Sequence, residues 1–584
     1  MTGYFGKLLR VDLTGKTFAI EDIADSVLES RLGGKGLGVH LLLNGSAPGT
    51  PALSPESPFI IATGPVTGTK MWSQSRYGVF AKSPATGGYG ESYCGGTLAP
   101  KIKGCGVDAI TLEGKCSDLC CLAIGEDGVE FIDAKPIRGK DAFETEDWLA
   151  ERSPGGAGIM MIGQAGENQV AFACIKSDRW RSVGRGGMGA VLGSKNVKAI
   201  AFSGTRKADI ADDELLKNVI RGIAQKGKES PVTQVYQNWG TPSQVKVTNA
   251  ANCFPTRYWQ AGKFDKWENV SADYMQENFE VKACGCPTCF LRCTKHSTVL
   301  HGRHKGLELE GPEYETIYAI GGLNNIDSLE EIAFLNDLCD RLGIDTMSAG
   351  NISAFAVEAH KRGKLDFQID YNQPDRVAEL FRLIANRQGV GEVFADGIRS
   401  AAEQLGLEDI AIHVKGLEPG GFDPRVLKGM GLSYATAARG ACHLRGTFYK
   451  AELSGQMDPA QIKGKAELHI DYEDRAALFD CLVLCRFYRD FIGWDELVDL
   501  YEALTGIKRD KDQLQALSNR ITQQTRAFNT REGLDASTDT LPKRLLREAT
   551  REGATLSEAD LQTMINEYNT IREGREQGTS GIPA

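Results

Sequence analysis

Four cysteines fall within ten residues in KACGCPTCFLRCTKH, Lys282 to His296, in a chain that holds 15. The spacing Cys286-x2-Cys289-x3-Cys293 sets three thiolates on a loop or first helical turn, where they can converge on one polynuclear centre. Such a centre needs a fourth ligand. Cys284 could close it locally; Cys485, in RAALFDCLVLCRFYRDF, could close it from a distance, as is common in iron–sulfur proteins. Zinc is the competing occupant, because it favours two short Cys/His spacings and His296, His301 and His304 follow closely enough to supply one. The odd, clustered cysteines suit a metal site in a reducing compartment better than a disulfide framework, and Cys174, Cys253 and Cys339 read as small core residues.

Proton transfer calls for other side chains. ELEGPEYETIYAIGGLNN carries Glu313 and Glu315, the latter among apolar residues and glycines, and ATAARGACHLRGTF carries His443. A carboxylate and an imidazole are the usual proton-transfer pair near neutral pH. His413, in the alternating DIAIHVKG, reads as structural. Two glycine-rich segments, YGESYCGGTLAPKIKGCG and DRWRSVGRGGMGAVLGSKNVKAI, let backbone N–H groups approach an anion, and Arg76, Arg181 and Arg185 can add charge-assisted contacts. Tight turns between strands account for the same glycines. Gly184, Gly186 and Gly189 match G-x-G-x-x-G, but an arginine-rich turn precedes them where a dinucleotide fold needs a strand. A Walker loop fails too: Gly15 to Thr17 is the only G-K-[ST], and Arg10 stands where the first glycine belongs. Two hexapeptides, Asp340 to Asp345 and Asp480 to Cys485, each set an acid five residues before another acid or a cysteine, as helix C-terminal turns.

The elements that position these groups change texture along the chain. Up to about residue 200, KLLRVDL, FIIATGPVTG, YGVFAKSP, DAITLEG, CCLAIGEDGVEFID, GIMMIGQAG and VKAIAFSG read as strands broken by glycine and proline. From Asp209 the period is helical, as in DDELLKNVIRGIAQKG, SLEEIAFLNDLCDRLG, RVAELFRLIANRQG and DELVDLYEALTG. KGLEPGGFDPRVLKGMG, Lys415 to Gly431, reads as the joint between two helical domains, and no internal repeat is evident. The last dozen residues are polar. A length of 584 residues implies about three domains. A net charge of -10 argues against general nucleic-acid affinity, and no apolar run suits a membrane span. MTGYFGKLLRVDLTG has no signal-like apolar region, so the cytoplasm is the expected compartment.

Together these features resemble the tungsten-dependent aldehyde ferredoxin oxidoreductase family. The likeness runs from FGKLLRVDLTGK through GRGGMGAVLGSKNVKAI, CPTC, GPEYET, LGIDTMS, RGACHL and the second hexapeptide to FNTREGLDASTDTLPKRL, essentially the whole chain. It implies an α+β protein: a two-layer, β-rich pterin-binding domain over 1–208, then mainly α-helical domains over 209–414 and 415–584. It also implies two pyranopterins holding one tungsten, with molybdenum possible on the same dithiolenes, and a [4Fe-4S] cluster on Cys286, Cys289, Cys293 and Cys485, leaving Cys284 spare. Asp340, Ile344 and Asp345 would then belong to one pterin-binding hexapeptide, and Asp480 and Leu484 to the other. Arg76, Gly95, Arg181 and Ser182 would surround the pterins and the Mg2+ bridging their phosphates. Tyr93 stands where the family carries asparagine, a departure that matters only if the contact there is through the side chain. Phe334 and Asp337 stand where some members carry Glu-x-x-His, so the dimer-interface metal of those members is not expected.

By the same resemblance the chain oxidises aldehydes to carboxylic acids with water as oxygen source. Glu315 would take a proton from the attacking water or hydrate, His443 would polarise the carbonyl, and Tyr314 and Arg445 would orient substrate. Electrons would leave to ferredoxin or a dedicated iron–sulfur subunit, docked by a local basic patch such as Lys282, Arg292 and Lys295. The chain would act alone, as a homodimer or as a hetero-oligomer. Two rivals are a related enzyme working reductively on an aromatic acyl-CoA and a zinc-stabilised, non-catalytic binding protein.

Overall fold

A computed structural model describes residues 1–578; the end of the polar last dozen lies outside the described residues. Two six-stranded mixed sheets form the base. The first runs Thr17–Asp22, Lys7–Asp12, Ala109–Glu113, Phe59–Ala62, Tyr77–Lys82, Tyr89–Cys94; the second runs Gly128–Asp133, Cys120–Gly125, Val197–Phe202, Gly158–Met161, Ile175–Ser177, Arg181–Val183. Every strand anticipated in the first 200 residues is present. The central ones, FIIA and VKAIAF, are buried along their whole length, because sheet neighbours and both covering layers shield them.

The two sheets share one connectivity, which the sequence did not suggest. Each opens with an antiparallel hairpin, continues through a three-stranded antiparallel meander, and closes with a strand that pairs in parallel with the first. Residues 7–113 and 120–202 are therefore two copies of one topology, hidden in sequence because a fold repeat needs only matching patterns of buried and exposed residues. Leu9, Val11, Phe59 and Ile61 of the first sheet meet Leu122, Met160 and Ile200 of the second in a shared core.

The helices form where the 3.6-residue period placed them: Asp213–Glu229, Leu329–Leu342, Pro374–Ala385 and Trp494–Thr505. Side-chain caps start several of them, Asp212 accepting from the Leu215 amide and Ser328 from the Glu331 amide. Asp213–Glu229 packs on Trp494–Thr505, far along the chain, through Leu216, Val219 and Ile223. One departure bears on function. The region expected to be helical holds a three-stranded antiparallel sheet, Phe279–Cys284, Thr294–Val299 and Glu308–Glu310, and the cysteine motif is the connection between its first two strands. Polar strand residues such as Lys282, Thr294 and Ser297 hid its alternation. His413 makes no strand; its Nδ1 accepts from the Gly416 amide. Among the described residues no helix is long and apolar enough to cross a membrane.

Candidate active site

Both hexapeptides turn a helix end in the same way. In each, the fourth residue caps the helix in left-handed conformation, Gly343 at φ 74° and Val483 at φ 59°, returning its amide to a last-turn carbonyl, of Cys339 and of Phe479. A β-branched residue is costly there, so Val483 holds strain that the surrounding packing must outweigh. One half of the base lies against each turn. Gly33 and Gly64, where a Cβ would press on the Cys481 and Leu482 carbonyls, and Gly34, where it would overlap the Asp480 carbonyl, meet the second turn; Gly163 meets the first at Arg341 and Leu342. Base glycines thus set each hexapeptide onto one topological half, a paired cradle suited to two copies of one ligand.

Buried charges link the layers at this cradle. Lys176 reaches Asp340 at 2.5 Å and the Ser182 hydroxyl at 2.5 Å, while burial pushes the Asp340 carboxyl up to about 6. Arg185 holds Asp345 at 2.9 Å and Glu418 at 3.3 Å. Asp480 is held by Arg445 and, at 2.6 Å, by Arg486; Arg445 also holds Glu91 at 2.8 Å. Ile344 and Leu484 are core side chains. Replacing Arg185 by Met leaves two buried carboxylates without their cation, and the expected cost is about 3–5 kcal/mol. A drop in apparent melting temperature of the purified variant checks this; an unchanged melting temperature would show that the two acids reprotonate at no cost.

The four motif thiols Cys286, Cys289, Cys293 and Cys485 line one cavity of about 240 Å³ together with Arg76, Tyr93, Gly95, Arg181 and Ser182. Cys284, at the end of its strand, and the three nearby histidines are not among its lining residues: His296 packs on Trp180 and His304 on Glu331. Among the described residues no three His, Cys, Asp or Glu side chains converge closely enough to hold a single ion. Four thiols spread around one cavity instead suit a multi-atom centre, the chemistry of an iron–sulfur cluster rather than tetrahedral zinc. Arg76 lies 3.6 Å from the Cys485 sulfur, and the Gly96 amide donates to Cys286 at 3.2 Å. A Cβ on Gly95 would stand 3.1 Å from the Cys286 sulfur. Tyr93 presents its carbonyl to Arg76 at 3.2 Å, while its hydroxyl donates to Glu91 at 2.8 Å.

Glu315 and His443 line a second cavity, of about 460 Å³. His443 Nε2 is 3.5 Å from one Glu315 oxygen, and the Gly421 amide donates to the other at 3.0 Å. The glycine- and proline-rich segment after Lys415 is held in the core: the hydroxyls of Tyr318, Tyr314 and Tyr434 donate to the carbonyls of Pro419, Gly421 and Gly420. Burial pushes the Glu315 carboxyl up to about 8. Burial, helped by Arg185, Arg439 and Arg445, holds His443 well below its ordinary range, so the imidazole is neutral. Glu313 and Phe487 line both cavities and form the wall between them.

Of the residues considered for partner docking, Arg292 is exposed, Lys282 is paired with Glu280 at 2.7 Å, and Lys295 is buried, donating to the Tyr236 carbonyl. Phe334 stacks on His304, and Asp337 pairs with Arg341 at 2.8 Å. The sequence reading passed over Lys176, Glu91 and Glu418, isolated charges whose partners lie far along the chain, and Arg489, which has no carboxylate partner.

An acid–imidazole pair one wall away from a four-thiol cavity, over a paired sheet base, defines an oxidoreductase. Family models described as aldehyde ferredoxin oxidoreductase match residues 8–204, as the N-terminal domain, and 218–581, as domains 2 and 3. A tungsten-containing aldehyde ferredoxin oxidoreductase of Pyrococcus furiosus is 35% identical over 99% of this chain and 97% of its own. An aliphatic sulfonate oxidoreductase subunit of the same organism is 29% identical over 88% and 84%. The fold is also that of the active-site complex of benzoyl coenzyme A reductase, with a TM-score of 0.84, 23% identity, and 98% and 94% coverage. The chain belongs to the aldehyde ferredoxin oxidoreductase family.

Proposed function

We propose that this chain oxidises aldehydes to carboxylic acids with water as oxygen source and passes the electrons to a ferredoxin or a dedicated iron–sulfur subunit. The observation that carries this is the Glu315–His443 pair in a cavity that shares Glu313 and Phe487 with the cavity of the four cysteines. The donor set fits the cofactors the family implies. Buried guanidinium nitrogens of Arg439, Arg445 and Arg486 lack partners around the cradle, as a phosphate-bearing ligand requires, and the cysteines supply a cluster's thiolates. Arg76, Tyr93, Gly95, Arg181, Ser182, Asp340, Ile344, Asp345, Asp480 and Leu484 would hold two pyranopterins and their bridging Mg2+; Cys286, Cys289, Cys293 and Cys485 would hold a [4Fe-4S] cluster. Bound there, tungsten bis-pyranopterin and cluster supply a two-electron acceptor and a one-electron outlet.

The chain's own residues handle orientation and protons. Neutral His443 donates a hydrogen bond to the aldehyde oxygen and polarises the carbonyl without adding a competing positive charge. Glu315, fixed by the Gly421 amide, takes the proton from the attacking water. Its raised pKa makes it a stronger base than an exposed glutamate once ionised. Tyr314, Phe422 and Tyr449 wall the cavity and give the substrate an aromatic lining. Anaerobic purification from a tungsten-supplied host is expected to yield about one tungsten and about four irons per chain and aldehyde-dependent dye reduction. Zinc alone in folded protein, or acyl-CoA reduction without aldehyde oxidation, would overturn it.

A further inference from the structure

Six buried arginines, Arg185, Arg425, Arg445, Arg486, Arg544 and Arg572, each hold a carboxylate; Arg439 holds none but is taken by the Glu91 carbonyl and the Cys442 sulfur. Arg489 is equally buried, 9% exposed, and holds none. It donates to the Arg486 carbonyl at 2.9 Å and meets the Tyr449 hydroxyl at 3.3 Å, and its Nε is buried without a partner. The adjacent acid, Asp490, is taken by Lys450. Against its burial, nearby Tyr449, Tyr236, Asp490 and Cys485 favour the charged form, and a guanidinium with no carboxylate in contact keeps donors for a ligand anion. Arg489 lines the catalytic cavity and not the cysteine cavity, where Arg76 already faces Cys485.

Aromatic rings join Arg489 to the catalytic pair. Phe422 lies 6.2 Å from the His443 ring and stacks on Tyr449 at 3.9 Å, and Tyr236 packs on Phe487 at 4.8 Å. We propose that the aldehydes this cavity takes carry a carboxylate at the far end of an apolar, preferably aromatic, body, and that Arg489 with the Tyr449 hydroxyl binds it. This rests on Glu315 and His443 being the catalytic pair of an aldehyde oxidation. Cavity charge agrees: burial pushes Glu315 up to about 8 and raises Glu313 as well, His443 is neutral, and Lys450 is paired with Asp490.

The test compares 4-formylbenzoate with benzaldehyde, and 5-oxopentanoate with pentanal, on the anaerobic holoenzyme with a viologen acceptor. Wild type is expected to favour the anionic member of at least one pair by about 30-fold in kcat/KM, and Arg489→Gln to abolish that ratio through KM, with Arg489→Lys between them. Benzene-1,4-dicarboxylate should inhibit wild type competitively and Arg489→Gln far less, a reading that needs no turnover of an acid aldehyde. Benzaldehyde oxidised with no anionic preference in either pair overturns this proposal and leaves aldehyde oxidation standing. No aldehyde oxidised overturns both. Equal loss of both members in Arg489→Gln, together with lost iron, would assign Arg489 to the metal centre instead.

Discussion

Glu315→Gln is expected to lower kcat/KM for aldehyde oxidation by about 10³-fold, the effect typical of removing a positioned general base. Glutamine keeps an oxygen for the Gly421 amide, so the cavity wall and the metal content should be unchanged. The pH dependence gives a second signature. With its pKa pushed up to about 8, Glu315 is mostly protonated at neutral pH and can accept a proton only in its ionised minority. Wild-type kcat/KM should therefore rise about tenfold per pH unit below 8 and level off above it. His443, held neutral well below its ordinary range, adds no inflection near 6.5. The Gln variant should lose the rise. Retained activity with the same pH profile would remove Glu315 from the mechanism.

Cys485→Ser should cost the protein its iron. The other three thiols sit on one short connection, whereas Cys485 follows the turn at the end of Lys465–Leu482, so as a ligand it would fasten that helix end to the cysteine loop. Loss of one ligand from a shared centre is expected to cut dye-linked turnover by at least about 100-fold, as even outer-shell losses reach that scale. Iron content and the reduced-state EPR signal of the purified variant measure it. Cys284→Ser is the control, because Cys284 lies outside the cavity and should keep its iron. Iron kept in Cys485→Ser but lost in Cys284→Ser would reverse the ligand assignment.

Much of this was legible in the chain because local physics decides it. Strands such as FIIA and VKAIAF announce themselves by composition, and helices such as Leu329–Leu342 by period, cap and terminal glycine. The hexapeptides were visible as helix ends because an αL cap is a local event. The small sheet around the cysteine motif was not, since its strands are polar even where buried, as at Lys295 and Ser297, and their pairing is settled across the sheet.

The sequence by itself determined the chemistry available: thiols at close spacing, a carboxylate and an imidazole, acids at two helix ends. It also determined the local segments that carry them, because turn, cap and period depend on neighbours a few residues apart. Tertiary structure alone decided which groups meet. It brought Cys485 to Cys286, Gly421 to Glu315, and Lys176 to Asp340, and it repeated one sheet topology to form a paired cradle. It also left Arg489 without a carboxylate. Such partnerships join residues more than a hundred positions apart, and burial, which shifts their protonation, exists only once the layers have closed over them.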